Sequence, residues 1–175
     1  DSLGLFDGRH VLAAHCVHLA EREIDILAQK KVGVAHCPES NMKLASGVAP
    51  VPRLLQAGAM VGLGTDGAAS NNNLDMIQEL RSCCFMHKLV RLDPQAITAY
   101  QALEMATVNG ARALGLKDVG MISPGMKADL ILVDFRKPHL CPRNDVAAHL
   151  ASSATGADVD TVMVDGRILM QGRQL

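Results

Sequence analysis

Three short strand candidates divide the first part of the chain, and a segment with helical periodicity follows each of them. They cover 10–14, 32–35 and 59–63, and their apolar residues run together rather than alternate with polar ones. Continuous apolar strands are typical of parallel sheets that are buried on both faces. The strand-helix repeat therefore predicts an α/β fold with three parallel strands.

Apolar periodicity also predicts the connecting helices. Residues recur at helical spacing over 21–31, over 52–57, and in a long helix that follows three consecutive asparagines. Asp93 followed by Pro94 predicts an N-cap and the first turn of another helix, which we expect to reach about Thr107. The charged residues Glu79 and Arg81 of the long helix are interpreted as solvated side chains.

The pattern changes near residue 117. A strand is predicted at 128–135, and two further strands, 159–164 and 168–170, flank Asp165-Gly166 as a β-hairpin. We therefore expect an α/β domain over 1–117 and a small β domain over 118–175.

Composition narrows the classes of function. Hydrophobic residues make up 49% of the 175 residues, aromatic residues only 2%, and the formal net charge is -1. A near-neutral chain with no basic run is not expected to bind nucleic acid. No apolar stretch is long enough for a membrane span, and no secretory signal is visible. The five cysteines form no CxxC pair, which favours reduced thiols and a cytoplasmic location.

Polar residues follow the carboxyl ends of all three predicted strands. His15, His36 and Asp66 occupy these positions, and parallel α/β folds assemble their sites at that edge. Asp66 lies in Thr-Asp-Gly, which is also ordinary turn chemistry. Its small neighbours nevertheless suit a carboxylate that binds a metal ion or accepts a proton, because substrate and ion could approach closely.

His15 has two possible interpretations. A histidine at a strand end is often a hydrogen-bonded core residue, but an imidazole beside a metal-activated water can orient that water or stabilise charge. The segment from His36 through Ser40 and Asn41 is expected to shape a pocket wall, with Ser70 as further support. A rival structural zinc site at Cys16, His18, His36 and Cys37 is disfavoured, because its spacing fits none of the usual ligand pairs.

Several motifs resemble the amidohydrolase superfamily. They are AHCVHL, HCPESNMKLASGVAP and GLGTDGAASNNNLDM, followed by MATVNGARALGL and GMISPGMKADLILVD. The branch that they resemble most contains the deaminases of 5′-methylthioadenosine and S-adenosylhomocysteine. The resemblance implies the C-terminal part of a metal-dependent (β/α)₈ barrel with part of a small β-sandwich domain. It also implies one divalent metal, usually Zn²⁺, and a small purine substrate.

The resemblance assigns roles to two residues. Asp66 matches the metal ligand after the last barrel strand, which also takes the proton of the attacking water and contacts the substrate. His15 matches the histidine after the sixth strand, which contacts that water. The segment from His18 to Glu21 mimics a further metal and acid pair, but it follows His15 too closely and begins a helix.

The expected function is hydrolytic deamination of adenosine-type nucleosides by a cytoplasmic enzyme that could be a homo-oligomer. Two alternatives remain: another amidohydrolase, such as a guanine deaminase or a chlorohydrolase, and a non-catalytic scaffold. Counterparts of the first-strand histidines and of the fifth-strand ligands have no match in the chain, which opens at Asp1. We therefore expect a truncated sequence that begins between the fifth and sixth strands and that is inactive alone.

Overall fold

A parallel sheet forms the centre of the first part of the chain. The structure, a computed structural model, describes residues 3–175. Strands β1 (Leu12–Ala14), β2 (Gly33–His36) and β3 (Met60–Leu63) lie in the order β1-β2-β3. Both pairings are parallel, as the apolar runs predict. The carboxyl ends of the three strands therefore lie at one edge of this sheet.

Helices cover the sheet and connect its strands. In chain order they are α1 (Glu21–Gln29), α2 (Pro38–Lys43), α3 (Val51–Gln56), α4 (Ala68–Asn71), α5 (Met76–Arg91), α6 (Ala99–Ala106) and α7 (Val108–Ala113). Val34 and Val61 from the strands are fully buried against residues of these helices, including Leu54 and Met105. The longest helix, α5, has 16 residues. Within the described part of the chain, no helix is long and apolar enough to cross a membrane.

Two strand glycines allow α7 to lie directly on the sheet. A Cβ atom on Gly33 would lie 2.3 Å from the carbonyl oxygen of Ala113, and one on Gly62 would lie 2.7 Å from Cα of Gly110. These distances are too short for any side chain, so the close approach of α7 to β2 and β3 requires glycine at both positions.

The helix predicted from Asp93 begins later than its N-cap signal indicates. Asp93 Oδ1 instead accepts a hydrogen bond from the backbone N–H of Gln95 within a turn. The helix α6 starts at Ala99, where Thr98 and Gln101 form a reciprocal capping box. The expectation of a helix from 93 was therefore wrong, because the Thr98 cap satisfies two backbone donors where Asp93 closes only a local turn.

The second part of the chain contains an antiparallel sheet. Strands β4 (Leu130–Val133), β5 (Val159–Val164) and β6 (Arg167–Met170) lie in the order β4-β5-β6, and β5 and β6 form the predicted hairpin. Between β4 and β5 lies α8 (Val146–Ser152), which packs against α5 and α6. Ala151 of α8 joins the core of the first part. The domain boundary near 117 remains a prediction.

Candidate active site at the carboxyl edge of the parallel sheet

His15 and Asp66 each follow a strand in a left-handed backbone conformation. His15 comes directly after β1 with φ of 64°, and Asp66 follows β3 with φ of 62°. Left-handed conformations are uncommon for residues other than glycine and cluster at functional sites. The turns bring the two side chains together, with 3.7 Å between His15 Nε2 and Asp66 Oδ2. The structure thus brings together two residues that the sequence analysis placed at the same edge of the sheet.

Two serine hydroxyls hold the Asp66 carboxylate. Ser70 donates to Asp66 Oδ2 at 2.6 Å, and Ser40 donates to the same oxygen at 2.7 Å. The Ser70 and Ser40 hydroxyls, with the backbone N–H of Gly67, lower the pKa of Asp66 from 3.8 to about 2. Hydrogen bonds to the charged form stabilise it. Asp66 is therefore an ionised carboxylate at neutral pH.

The partner of His15 determines which ring nitrogen carries the proton. His15 Nδ1 lies 2.9 Å from Oδ1 of Asn41. An amide oxygen can only accept a hydrogen bond, so a neutral His15 carries its proton on Nδ1. The lone pair then lies on Nε2, the nitrogen that approaches Asp66. Nε2 is thus available to accept a proton from a molecule bound between the two side chains.

The short helix α2 positions Ser40 and Asn41. Pro38 begins α2 directly after β2 and Cys37, and proline is preorganised for a first helical position. The exposed fractions of Ser40 and Asn41 are only 0% and 1%. The same helix therefore fixes a partner of Asp66 and a partner of His15. Both residues support the site as predicted in geometry, while their functional roles remain predictions.

His36 lies in the core, at the end of β2. It is fully buried, and its Nε2 lies 3.3 Å from Nε2 of His87 on α5. Burial is the main cause that lowers the pKa of His36 to about 3 and of His87 to about 4. Two neutral imidazoles at this distance can share one hydrogen bond. The side chain of His36 thus contacts α5, and its part in shaping a pocket wall stays a prediction.

The buried histidine pair also lies beside a thiol. One possible ligand atom from each of His36, Cys83 and His87 lies within 4.8 Å of the others. Burial raises the pKa of the Cys83 thiol far above its usual value, and only a thiolate binds metal well. All three residues are buried, which leaves no open position for a reacting molecule. We interpret this group as core packing.

The structure does not bring together the rival zinc site at Cys16, His18, His36 and Cys37. Within residues 3–175, the buried histidine-cysteine group is the one set of three or more histidine, cysteine or acidic donors with metal-ligand spacing. The Cys16 and Cys37 thiols lie against backbone carbonyls of their own strand segments, Ala13 and Ala35. Burial raises the pKa of both thiols.

The acid of the look-alike metal and acid pair has a partner of its own on the surface. Glu21 begins α1, and its carboxylate forms an ion pair with Arg53 at 2.7 Å. This surface contact explains the glutamate without a metal ion. Rejecting the segment from His18 to Glu21 as a ligand pair is therefore consistent with the fold.

Sequence reasoning missed one buried acid. Glu79 was interpreted as a solvated helix charge, but its exposed fraction is 0%. Its carboxyl group accepts hydrogen bonds from Asn71 and from the backbone of Glu39. Arg81 is half-buried and donates to the carbonyl of Ala154. Glutamate and arginine are common on exposed helix faces, so residue type alone does not indicate that Glu79 is buried. The asparagines before α5 are the one local feature of the sequence that pointed to a buried hydrogen-bond partner.

The residues present fit one part of a divalent-metal site. An ionised carboxylate is a normal zinc ligand, and hydrogen bonds keep Asp66 ionised. Both serines donate to Oδ2, so Oδ1, which accepts neither hydroxyl, is the better placed ligand atom. A tight zinc site needs at least three protein ligands. Asp66 therefore fits as one member of such a set.

The fold and this cluster define the class of protein. The chain matches the model of the amidohydrolase family over residues 1–169 and belongs to that family. It is 65% identical, over its whole length, to a 5-methylthioadenosine/S-adenosylhomocysteine deaminase of Pelotomaculum thermopropionicum, and it covers 40% of that relative. It is 63% identical over 97% of its length to the Moorella thermoacetica protein of the same name, again covering 40%. The chain thus spans about 40% of the length of these curated relatives.

Solved structures agree with the family. The fold superposes with a TM-score of 0.96 on a zinc-bound adenosine deaminase from Xanthomonas campestris, at 41% identity over 100% of this chain and 40% of that one. A zinc complex of atrazine chlorohydrolase from Arthrobacter aurescens gives a TM-score of 0.89 at 29% identity, covering 94% of this chain and 37% of the other. Zinc in both neighbours indicates that a divalent metal, most simply zinc, belongs to this family site.

Proposed function

We propose that this chain supplies part of the active site of a metal-dependent hydrolytic deaminase of adenosine-type nucleosides. One observation carries the proposal: Oδ2 of Asp66, which accepts hydrogen bonds from two serine hydroxyls, lies 3.7 Å from Nε2 of His15. A carboxylate and an imidazole in this arrangement can together bind and deprotonate a water molecule. The similarity to proteins named as deaminases supports that use.

Asp66 would hold the metal ion and then accept a proton. When bound, zinc supplies Lewis acidity that makes a water molecule acidic near neutral pH. The low pKa of Asp66 keeps its carboxylate ionised and available before substrate arrives. Oδ2 keeps its orientation through Ser40 and Ser70. The carboxylate can thus take the proton of the attacking water and pass it toward the departing amine.

His15 would orient the attacking water without binding the metal. Its Nδ1–H donates to Asn41, which fixes both the ring and the tautomer. Its Nε2 can then accept a hydrogen bond from water positioned near Asp66. Addition of that water to the amine-bearing purine carbon, followed by departure of ammonia, completes the deamination.

The proposed architecture is the last part of a (β/α)₈ barrel with part of a small β-sandwich domain. Three parallel strands with polar side chains at their carboxyl ends support the barrel, because barrel enzymes place catalytic groups there. The antiparallel β4-β5-β6 sheet supports the second domain. We also propose a cytoplasmic enzyme with a small-molecule substrate that could form homo-oligomers.

Ammonia release by the full-length zinc-loaded protein tests this function. We expect deamination of 5′-methylthioadenosine, S-adenosylhomocysteine or adenosine. The likeness to an atrazine chlorohydrolase makes chlorinated triazines the informative comparison, measured by chloride release because their dechlorination yields no ammonia, with guanine as a second one. Activity confined to triazines or guanine would assign another amidohydrolase reaction, and no hydrolysis of any of them would favour a scaffold.

A further inference from the structure

A fully buried carboxyl group lies at the junction of three helices behind the candidate site. Glu79 on α5 accepts a hydrogen bond at Oε1 from Asn71 Nδ2 on α4, at 2.6 Å. Its Oε2 accepts one from the backbone N–H of Glu39 on α2, at 3.2 Å. A single side chain therefore joins α2, α4 and α5.

Each of these two contacts leads to a different half of the site. Asn71 Nδ2 also donates to the carbonyl of Thr65 at 2.7 Å, and Thr65 is the residue before Asp66. One amide group thus links Glu79 to the turn that carries the proposed metal ligand. This branch fixes the backbone of Asp66.

The second branch fixes the helix that carries the partners of Asp66 and His15. Glu39 immediately precedes Ser40 and Asn41 in α2. The Glu39 side chain in turn accepts a hydrogen bond from Ser82 of α5 at 2.6 Å. The first turn of α2 is therefore tied to α5 twice, and both ties lie beside the residues that hold the site.

The chemistry of the junction requires a carboxyl group. Two N–H donors from different helices converge on Glu79, and only a carboxylate offers two acceptor oxygens at that spacing. Burial is the main cause that raises the pKa of Glu79 to about 7, while the hydrogen bonds from Glu39 and Asn71 oppose the rise. Burying such a group is unfavourable compared with an apolar side chain. Stability alone does not explain its presence.

We propose that Glu79 is a positioning residue that sets the placement of Asp66 relative to His15 by fixing the Thr65 turn and the first turn of α2. The structural part of this inference stands without the proposed function, and only its effect on turnover rests on it. Outer hydrogen-bond partners of metal ligands typically contribute 10- to 100-fold to metal affinity or activity.

Three variants of the full-length zinc-loaded protein test the inference. Glu79→Gln keeps one acceptor oxygen but places an N–H group against one of the two donors, Asn71 Nδ2 or the Glu39 backbone N–H. Asn71→Ala removes the branch from Glu79 to Thr65, together with the bond from the Asn73 backbone N–H to Asn71 Oδ1. It leaves the Glu39 branch in place and serves if Glu79→Gln fails to fold. Glu104→Gln is the matched control, since it makes the same change at an exposed position on α6.

The measurements separate positioning from bulk stability. For Glu79→Gln we expect kcat to fall by about 10- to 100-fold with KM changed less than about twofold, and zinc loss to a chelator to accelerate by about tenfold. Amide exchange should accelerate in peptides covering 60–75 and 37–43. Asn71→Ala should accelerate exchange in 60–75 alone. Glu104→Gln should behave as wild type in every measurement.

Two results would overturn the inference. One is wild-type kcat, zinc loss and exchange in Glu79→Gln, with or without a lower Tm, because a merely structural residue would change only the Tm. The other is equal effects from Glu104→Gln. If no variant or wild-type protein deaminates any nucleoside but the exchange pattern and zinc loss change as expected, the proposed function fails and the positioning role of Glu79 stands.

Discussion

The low pKa of Asp66 provides a quantitative test of how the site is held. The hydroxyls of Ser70 and Ser40 are the two largest causes that lower this pKa from 3.8 to about 2. Replacing both serines by alanine removes both hydrogen bonds to Oδ2 and leaves the backbone N–H of Gly67 in place. We therefore expect the ionised form of Asp66 to lose most of the stabilisation that lowers its pKa.

The expected change in the pKa of Asp66 follows from these hydrogen bonds. Each single variant should raise the pKa of Asp66 part of the way from about 2 toward 3.8, with Ser70→Ala at least as effective as Ser40→Ala because the Ser70 hydroxyl is the largest cause. The double variant should titrate close to the ordinary value of 3.8. A depressed aspartate pKa stabilises the fold above the ordinary value and loses that contribution as pH falls from about 3.8 toward about 2. The double variant should lack this acid-side contribution.

Carbon-13 NMR of the aspartate carboxyl carbons, on metal-free protein, measures this titration directly. Ser46→Ala is the matched control, because Ser46 is an exposed serine close to α2. An Asp66 pKa that does not change in the double variant would refute the assignment of its stabilisation to the hydroxyls. An equal shift in Ser46→Ala would refute it as well.

Further predictions concern the histidine, the packing of the sheet and the isolated chain. His15→Ala should retain zinc but reduce the turnover rate by a factor of roughly 10² to 10⁴. Loss of zinc from a folded variant would instead show that His15 is a metal ligand. Gly33→Ala should lower the free energy of unfolding by about 1–3 kcal/mol, since its Cβ would lie 2.3 Å from the carbonyl oxygen of Ala113. Urea unfolding measures this loss. Gly67→Ala is the control, because its Cβ would meet nothing within 4 Å, and it should lower the free energy of unfolding by less than about 1 kcal/mol. Residues 1–175 expressed alone should self-associate in light scattering, because β1 and β3 each pair only with β2 among the described residues; an active monomer would contradict this.

The sequence was most informative where a polar residue ended an apolar run. Asp66 and His15 were identifiable because strand periodicity places them at one edge of a parallel sheet, whatever the details of the helices. Ser40 and Asn41 were selected as part of the segment that follows the second strand, and both lie in α2. Hydrophobic periodicity thus predicted the parallel sheet and which residues follow its strands, while the roles of Asp66 and His15 are implied by the family resemblance and stay predictions.

Tertiary contacts decided the remaining features. Nothing in the spacing of α5 indicates that Glu79 is buried, because its partners Asn71 and the Glu39 backbone come from other helices. The contact of His36 with His87 joins residues that are far apart along the chain, so spacing could not predict it. Asp93 shows that a local signal can be ambiguous. Its side chain accepts a backbone hydrogen bond as an N-cap would, but it closes only a turn, and the helix begins after the capping box of Thr98 and Gln101.

Zinc-edge anomalous diffraction from crystals of the full-length protein tests the central claim most directly. We expect one strong zinc peak about 2.0–2.2 Å from a carboxylate oxygen of Asp66, with His15 Nε2 near the metal site but outside bonding distance. A peak between His36, Cys83 and His87, with none at Asp66, would contradict the assignment of Asp66 as a metal ligand.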